Sequence, residues 1–369
     1  MEHRSSPSTR KEYQTLILVF LLITFGLVMV YSTSSYKAEL MFDNRAYWFL
    51  RQSLWAAIGI MVMFFISGFD YKKLYDRQGL LLILYIGMSF LLVLTLVLGS
   101  VTKGSKRWLA LGPFSFQPSE LSKLVLILFL AHFLAKHGKL TKTMKGTFLA
   151  LLISLPIIGP VGIENASTSI ILLGIVGVMI FASSPWYKRF FFMILIGVFL
   201  VGVIIGSRAY RLERFVIWMD PENHPKGLQT IQGLYAIGSG GLFGKGLGNS
   251  MQKMGFLPEP QNDMIFSIIC EELGLVGAVT VLLLFGLLLI RFVKIASSCG
   301  DLFGFLIVMG VTAHLGIQVF INIAVVTNTI PNTGIPLPFI SYGGSSLFFL
   351  MMEIGFVLSV AKHSRPYLG

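Results

Sequence analysis

The chain has 369 residues, 55% of them hydrophobic and only 12% charged, where a typical soluble domain carries about 25% charged residues. That composition excludes an ordinary soluble enzyme. The net charge of +12 comes from Lys and Arg scattered between apolar runs, which argues for topology signals and anionic-lipid contacts and against nucleic acid.

In chain order, ten apolar runs are long enough to cross a bilayer, at about 14–32, 47–68, 79–98, 118–136, 147–163, 167–184, 189–207, 264–290, 303–328 and 342–361. The first follows a basic leader without a small-residue cleavage site and reads as a retained helix. Between the fifth and sixth, "GIENAST" places Glu164 and Asn165 where mid-bilayer burial would be costly, so a turn is expected there. The chain is therefore expected to be a single all-α polytopic membrane domain, 1–369, with about ten transmembrane helices. Its one large extracytoplasmic loop covers about 208–263. In the short loops, Lys72, Lys73, Arg77, Lys136, Lys139, Lys142, Lys145, Arg291 and Lys294 fall on the side of the N-terminus. The positive-inside rule then puts both termini in the cytoplasm. Cys270 lies in a span and Cys299 in a short loop, and both read as free thiols.

Several standard motifs are missing. "GSGGLFGKGLG" (238–248) fits neither the Walker nor the GxGxxG spacing and reads as tight turns and close packing. His132, His137 and His314 are isolated, and no metal ligand is assigned. The polar material sits in the outer loops. In "QPSELSK", Pro118 suits a first helical position and Glu120 the first turn. Glu120 and Lys123 share a face, as a structural ion pair or as part of a water-accessible outer cavity. In "SRAYRLERFVIWMDPENHP", Arg208, Arg211 and Arg214 line one face of an interfacial helix. Their forks fit phosphate, whether of a pyrophosphate lipid or of ordinary phospholipid. In "NTIPNTGIPLPFISYGGSSL", Pro331, Pro336 and Pro338 exclude a continuous helix, while Ser341, Tyr342 and Ser345 open the last span. A cavity-lining re-entrant segment is expected. Finally, "PEPQNDMIFSIICEELG" (258–274) puts Glu259 and Asp263 at the outer mouth of a span, with Glu271 and Glu272 inside. The last two read as fixing the loop or holding helices together.

Three stretches in order, "KRWLALGPFSFQPSELSK", "AIGSGGLFGKGLGNSMQKMGFLPEPQNDMIFSIICEELGLVG" and "TGIPLPFISYGGSS", resemble the SEDS family (shape, elongation, division and sporulation). The resemblance covers the whole chain, and "MVYSTSS" resembles the FtsW/SpoVE branch more than RodA. It implies a ten-helix fold in the bacterial cytoplasmic membrane and a peptidoglycan glycosyltransferase that polymerises lipid II. The implied partners are a class B penicillin-binding protein and other divisome or elongasome proteins. The family's essential carboxylate maps to Asp263, and its cavity residues to Arg107, Trp108, Glu120 and Lys123. Where many relatives carry an acid between the fifth and sixth spans, this chain has Asn165.

The resemblance also implies chemistry. The donor sugar is α-linked to pyrophosphate and the product is β-linked, so one displacement suffices, with Asp263 as general base. The leaving group needs positive charge, from loop arginines or from a divalent cation such as magnesium or manganese. The alternative is a lipid II flippase, which would need polar contacts along its whole path; here the polar clusters gather at the outer face. A scaffold for division proteins would leave Asp263 dispensable.

Overall fold

A computed structural model describes residues 7–102, 105–111, 114–184, 186–206 and 209–364. Its first half runs α1 (Pro7–Phe42), α2 (Tyr47–Gly68), α3 (Lys72–Asp76), α4 (Gln78–Leu98), β1 (Ser100–Thr102), β2 (Ser105–Leu111), β3 (Phe114–Phe116), α5 (Pro118–Lys136), α6 (Gly138–Thr141) and α7 (Met144–Glu164). The second half runs α8 (Ala166–Ser183), α9 (Tyr187–Gly206), α10 (Ala209–Met219), α11 (Leu228–Ser239), α12 (Ile265–Ser297), α13 (Leu302–Val326) and α14 (Gly344–His363). Among the described residues nine helices are long and apolar enough to cross a membrane. The remaining expected span, the seventh at about 189–207, coincides with α9, whose stretch Phe191–Leu200 is apolar. The protein is a multi-pass helical membrane protein.

One element departs from the all-α expectation. The loop before α5 folds as a small antiparallel sheet in the order β1-β2-β3, with Ser100 opposite Trp108 and Leu109 opposite Phe116. It lies against α4, α5 and α7 and carries Arg107 and Trp108 over the bundle. Hydropathy marks spans and says little about so short a hairpin.

The bundle is centred on α5 and α13. Leu126, Ile127 and Leu130 of α5, and Leu306, Val311 and Leu315 of α13, are fully enclosed. Outer helices instead turn Ile83, Phe90 and Phe199 outward, as suits a face solvated by acyl chains. Close helix approach depends on small residues, since lipid-embedded helices associate by packing. A Cβ at Gly355 of α14 would come within 2.9 Å of Met63 O on α2. The expected turn between the fifth and sixth spans is present: Asn165 ends α7, and its Oδ1 accepts a hydrogen bond from Thr168 N at 3.2 Å, capping α8.

The eighth span is not the single rod expected at 264–290. α12 breaks at Gly274, whose φ of 66° and ψ of −163° are non-helical. A break frees backbone groups that must find partners elsewhere. The glycine-rich loop supplies them. Lys245 N and Gly246 N donate to Glu271 O and Glu272 O, both at 2.9 Å. Leu275 N and Val276 N donate to Gly241 O and Leu242 O, at 2.9 and 3.2 Å. Backbone this close leaves no room for Cβ: one at Gly274 would lie 2.4 Å from Gly244 N, and one at Gly244 2.2 Å from Glu272 O. The loop's glycines thus serve packing, as read from their spacing.

Glu271 and Glu272 complete this junction. Glu271 pairs with Lys245 at 2.7 Å and accepts from the Ser250 hydroxyl and from Met251 N. Glu272 pairs with buried Lys253 at 2.7 Å and accepts from Ser32 of α1 at 2.7 Å. Both carboxylates pin the loop between α1 and α12, the structural role expected of them.

Candidate active site

Asp263 ends the loop one residue before the α12 N-cap, half-buried. Its neighbours come from three directions. Gln229 of α11 points Nε2 at both carboxylate oxygens, at 3.4 and 3.5 Å. Gln229 Oε1 in turn accepts from Asn332 Nδ2 at 3.2 Å, so the amide is oriented with its donor toward Asp263. Asn322 of α13 donates to Asp263 O and to Ile335 O, each at 2.8 Å. The turn, α11 and the segment before α14 therefore share one set of amide contacts. Glu259 accepts from Asn262 at 2.9 Å within the same turn.

The segment 327–343 forms no helix, in keeping with its three prolines. It packs into the bundle against the helices. Ile335, Leu337, Phe339 and Ile340 are buried, and a Cβ at Gly26 of α1 would lie 2.4 Å from Phe339 O. Side chains satisfy its backbone: Gln318 Nε2 donates to Pro336 O at 3.0 Å. Ser341 is spent the same way, accepting from Leu337 N at 2.8 Å and donating to Asn262 O at 2.6 Å. Tyr342 N donates to Gln261 O at 2.9 Å, and burial pushes its phenol up despite nearby Arg51. Ser345 is buried in the first turn of α14.

The arginines are placed differently from expectation. Arg208 lies outside the described residues. Arg211 is buried, and its Nη2 donates to Gly162 O and Ile163 O at 2.9 and 2.8 Å. Arg107 Nε donates to Glu164 O at 3.0 Å. The last turn of α7 has carbonyls without helical partners and the negative end of a dipole, and two arginines converge on it. Arg214 Nη1 reaches Asn332 O at 2.9 Å. Arg211 therefore faces backbone inside the protein instead of headgroup phosphates, while half-buried Arg214 abuts the segment that orients Gln229. The other face of α10 exposes Leu212, Val216 and Met219, which fits an interfacial helix. Trp108 is half-buried on β2 beside Arg107.

Glu120 and Lys123 pair as expected, at 3.0 Å, and Pro118 opens the helix. The expected water-accessible cavity is not seen around them, since only 2% of the Lys123 side chain is exposed. The closing residues are Gln318, 3.3 Å from Lys123 Nζ, and the re-entrant segment it holds. The site is thus two-tiered, with Asp263 at the mouth and the Glu120–Lys123 pair enclosed beneath. Gln229, Asn322 and Asn332 were not singled out from sequence. Asn322 carried a signal nonetheless, being four residues beyond Gln318 and eight beyond His314 in an apolar span. Among the described residues no group of three His, Cys, Asp or Glu side chains is placed to hold a metal ion.

The FtsW/RodA/SpoVE cell cycle protein family matches residues 13–366. The chain belongs to this family. It is 42% identical over 368 residues to Stage V sporulation protein E of Bacillus subtilis, covering 98% of this chain and all of that one. It is 36% identical over 356 residues to "Probable peptidoglycan glycosyltransferase FtsW" of Geobacter sp. strain M18, covering 95% and 96%. Both carry the branch names expected from "MVYSTSS". Among solved FtsW/RodA/SpoVE relatives, RodA of Thermus thermophilus superposes with a TM-score of 0.71 at 28% identity, covering 95% of this chain and 97% of that one. A chain from a study of polymerization and crosslinking by a peptidoglycan synthase complex superposes with a TM-score of 0.77 at 29% identity, with the same coverage.

Proposed function

We propose that this protein is a peptidoglycan glycosyltransferase that polymerises lipid II at the outer face of the cytoplasmic membrane, with both termini in the cytoplasm. The observation that carries the reading is the amide of Gln229. Oriented by Asn332, it offers N–H to Asp263, which is what a carboxylate kept as proton acceptor requires. Asp263 takes the proton from the acceptor sugar's 4-hydroxyl as that oxygen attacks the donor's anomeric carbon. The bond to pyrophosphate breaks on the opposite face, inverting the centre. The leaving pyrophosphate needs positive charge, which half-buried Arg214 or a divalent cation brought in with the pyrophosphate would supply.

The FtsW homologues are named for this transferase activity, and the peptidoglycan synthase neighbour supports a class B penicillin-binding protein as partner. A flippase reading finds less support. Beyond the Lys123 tier, Leu126, Ile127 and Leu130 of α5 are fully enclosed, and the polar groups that continue from Lys123, His314 and Glu353, are buried and paired with each other. The test is incubation of purified protein with lipid II, with and without the penicillin-binding partner. Wild type is expected to make glycan polymer, and Asp263→Asn to bind lipid II while losing about 10²–10⁴ in rate. Wild-type polymerisation by Asp263→Asn would overturn the base assignment.

A further inference from the structure

One face of α13 carries three buried polar residues spaced by four, His314, Gln318 and Asn322. Residues at that spacing stack along a single helical face. Polar and ionisable groups inside a membrane bundle are costly and need partners. Each of these three makes side-chain hydrogen bonds that tie α13 to another element, although Asn322 Oδ1 itself has no partner among the described residues. Asn322 holds the Asp263 backbone and the re-entrant segment. Gln318 holds the re-entrant segment at Pro336 and accepts from Lys123. His314 Nε2 lies 2.8 Å from Gln318 Oε1, and its Nδ1 lies 2.6 Å from Glu353 Oε2 on α14. Glu353 is fully buried.

The donor and acceptor roles close logically. Gln318 Nε2 must donate to a carbonyl oxygen, so Gln318 Oε1 faces Lys123 and His314. Lys123 has only donors to offer it. His314 must therefore present Nε2–H, and one proton is shared between its Nδ1 and the Glu353 carboxyl. If that link were removed, the imidazole could carry its proton on Nδ1 and turn a lone pair toward Gln318 Oε1. The amide would then rotate. Its NH₂ would face Lys123, and Pro336 O would be released.

We propose that His314 and Glu353 are positioning residues for the transferase: they lock the Gln318 amide, which sets both Lys123 and the re-entrant segment beside Asp263. This rests on the functional reading above. The alternative is a polar network that merely joins α13 to α14.

The two can be separated. Glu353→Gln keeps the link, because a new amide can donate to Nδ1 while His314 retains Nε2–H. Glu353→Leu removes it. Glu353→Leu is expected to raise the KM for lipid II about tenfold or more while kcat changes by less than about threefold, the mark of lost ground-state binding. Glu353→Gln should stay near wild type in both. An activity-independent arm uses thermal unfolding of the detergent-solubilised protein. Because the two side chains act through His314, which touches both, Glu353→Leu should cost much less melting temperature in a Gln318→Leu background than alone. If Glu353→Leu is not recovered from membranes, His314→Phe reads the same link. Additive melting shifts with polymerisation intact would overturn the lock. Coupled shifts with an unchanged KM would overturn positioning and leave helix cohesion. A wild type that makes no polymer would remove the functional reading itself, and the positioning claim with it.

Discussion

Lys253 Nζ sits 2.7 Å from Glu272 Oε1, with 4% of the lysine side chain and none of the glutamate exposed. Ser32 joins the pair, its hydroxyl 3.0 Å from Lys253 Nζ. Removing one member of a buried pair leaves an uncompensated charge and costs about 3–5 kcal/mol. Lys253→Met should therefore lower the melting temperature sharply, and Lys253→Met with Glu272→Met should recover most of the loss. Thermal unfolding in detergent checks this; a single variant as stable as wild type would mean the pair contributes nothing.

Gly274→Ala puts a Cβ against Gly244 N at 2.4 Å and Leu242 O at 2.5 Å, at a φ of 66°. Backbone with positive φ and extended ψ is essentially confined to glycine and costs another residue about 1–3 kcal/mol, and the overlap adds about 1–3 kcal/mol. The glycine-rich loop should detach, and polymer synthesis should fall with stability. Gly248→Ala, at a φ of 85° with nothing within 4 Å of its Cβ, should show only the smaller backbone effect. Equal losses in both would remove the contact argument.

Reversing the inner pair separates structure from chemistry. Glu120→Ala strands Lys123 and should cost about 3–5 kcal/mol. Glu120→Lys with Lys123→Glu should restore part of the melting temperature. Polymerisation should remain lost, because the Gln318 oxygen that faces Lys123 is matched to the original polarity. Restored synthesis would reduce the pair to a helix link.

At the end of α12 away from Asp263, Tyr71 donates to the Asp301 carboxylate beside Cys299. Burial pushes the Cys299 thiol up; burial and the Asp301 hydrogen bond do the same to the Tyr71 phenol. Groups raised on folding stabilise fully below their unfolded values, about 8.5 for Cys and 10 for Tyr, and that stabilisation is lost as pH rises past them. Melting temperature should hold between pH 7 and 8 and decline above, with Cys299→Ala delaying the onset. Maleimide at pH 7.5 should label Cys299 slowly in native protein and rapidly after unfolding.

Orientation is checked by single cysteines in a Cys270→Ser, Cys299→Ala background. An impermeant thiol reagent applied to intact cells should label Asn223→Cys and Asn249→Cys, both exposed in the large loop, and not Lys142→Cys beyond α6. The reverse pattern would invert the topology and move Asp263 to the cytoplasmic side.

The spans were legible because crossing a bilayer demands a length of apolar chain that nothing else requires. The re-entrant segment was legible because Pro331, Pro336 and Pro338 deny it a helix. The junction between the glycine-rich loop and α12 was not. One glycine in an apolar run, Gly274, looks like any other, and the donors that replace its helical bonds lie some thirty residues earlier. Arg211 and Arg107 were legible as arginines but not as caps of α7, because the carbonyls they meet are distant in sequence. Gln229 was hidden by being neutral: its role depends on Asn332, on another element. Local pattern found the carboxylate; the amides that orient it are non-local.

The break at Gly274 also insulates the Asp263 turn from the bilayer's dimensions. The 33 residues of α12 would measure about 50 Å as one rod, well beyond a hydrocarbon core of about 30 Å. Below the break, 275–297 alone is about 34 Å long and can tilt to suit thinner or thicker lipid. Above it, the nine residues that follow the Asp263 turn and Met264 are locked to the loop by the Glu271 and Glu272 contacts. The lower segment therefore works as an adjustable leg under a fixed platform, and synthesis should proceed at similar rates in vesicles of short-chain and long-chain lipids.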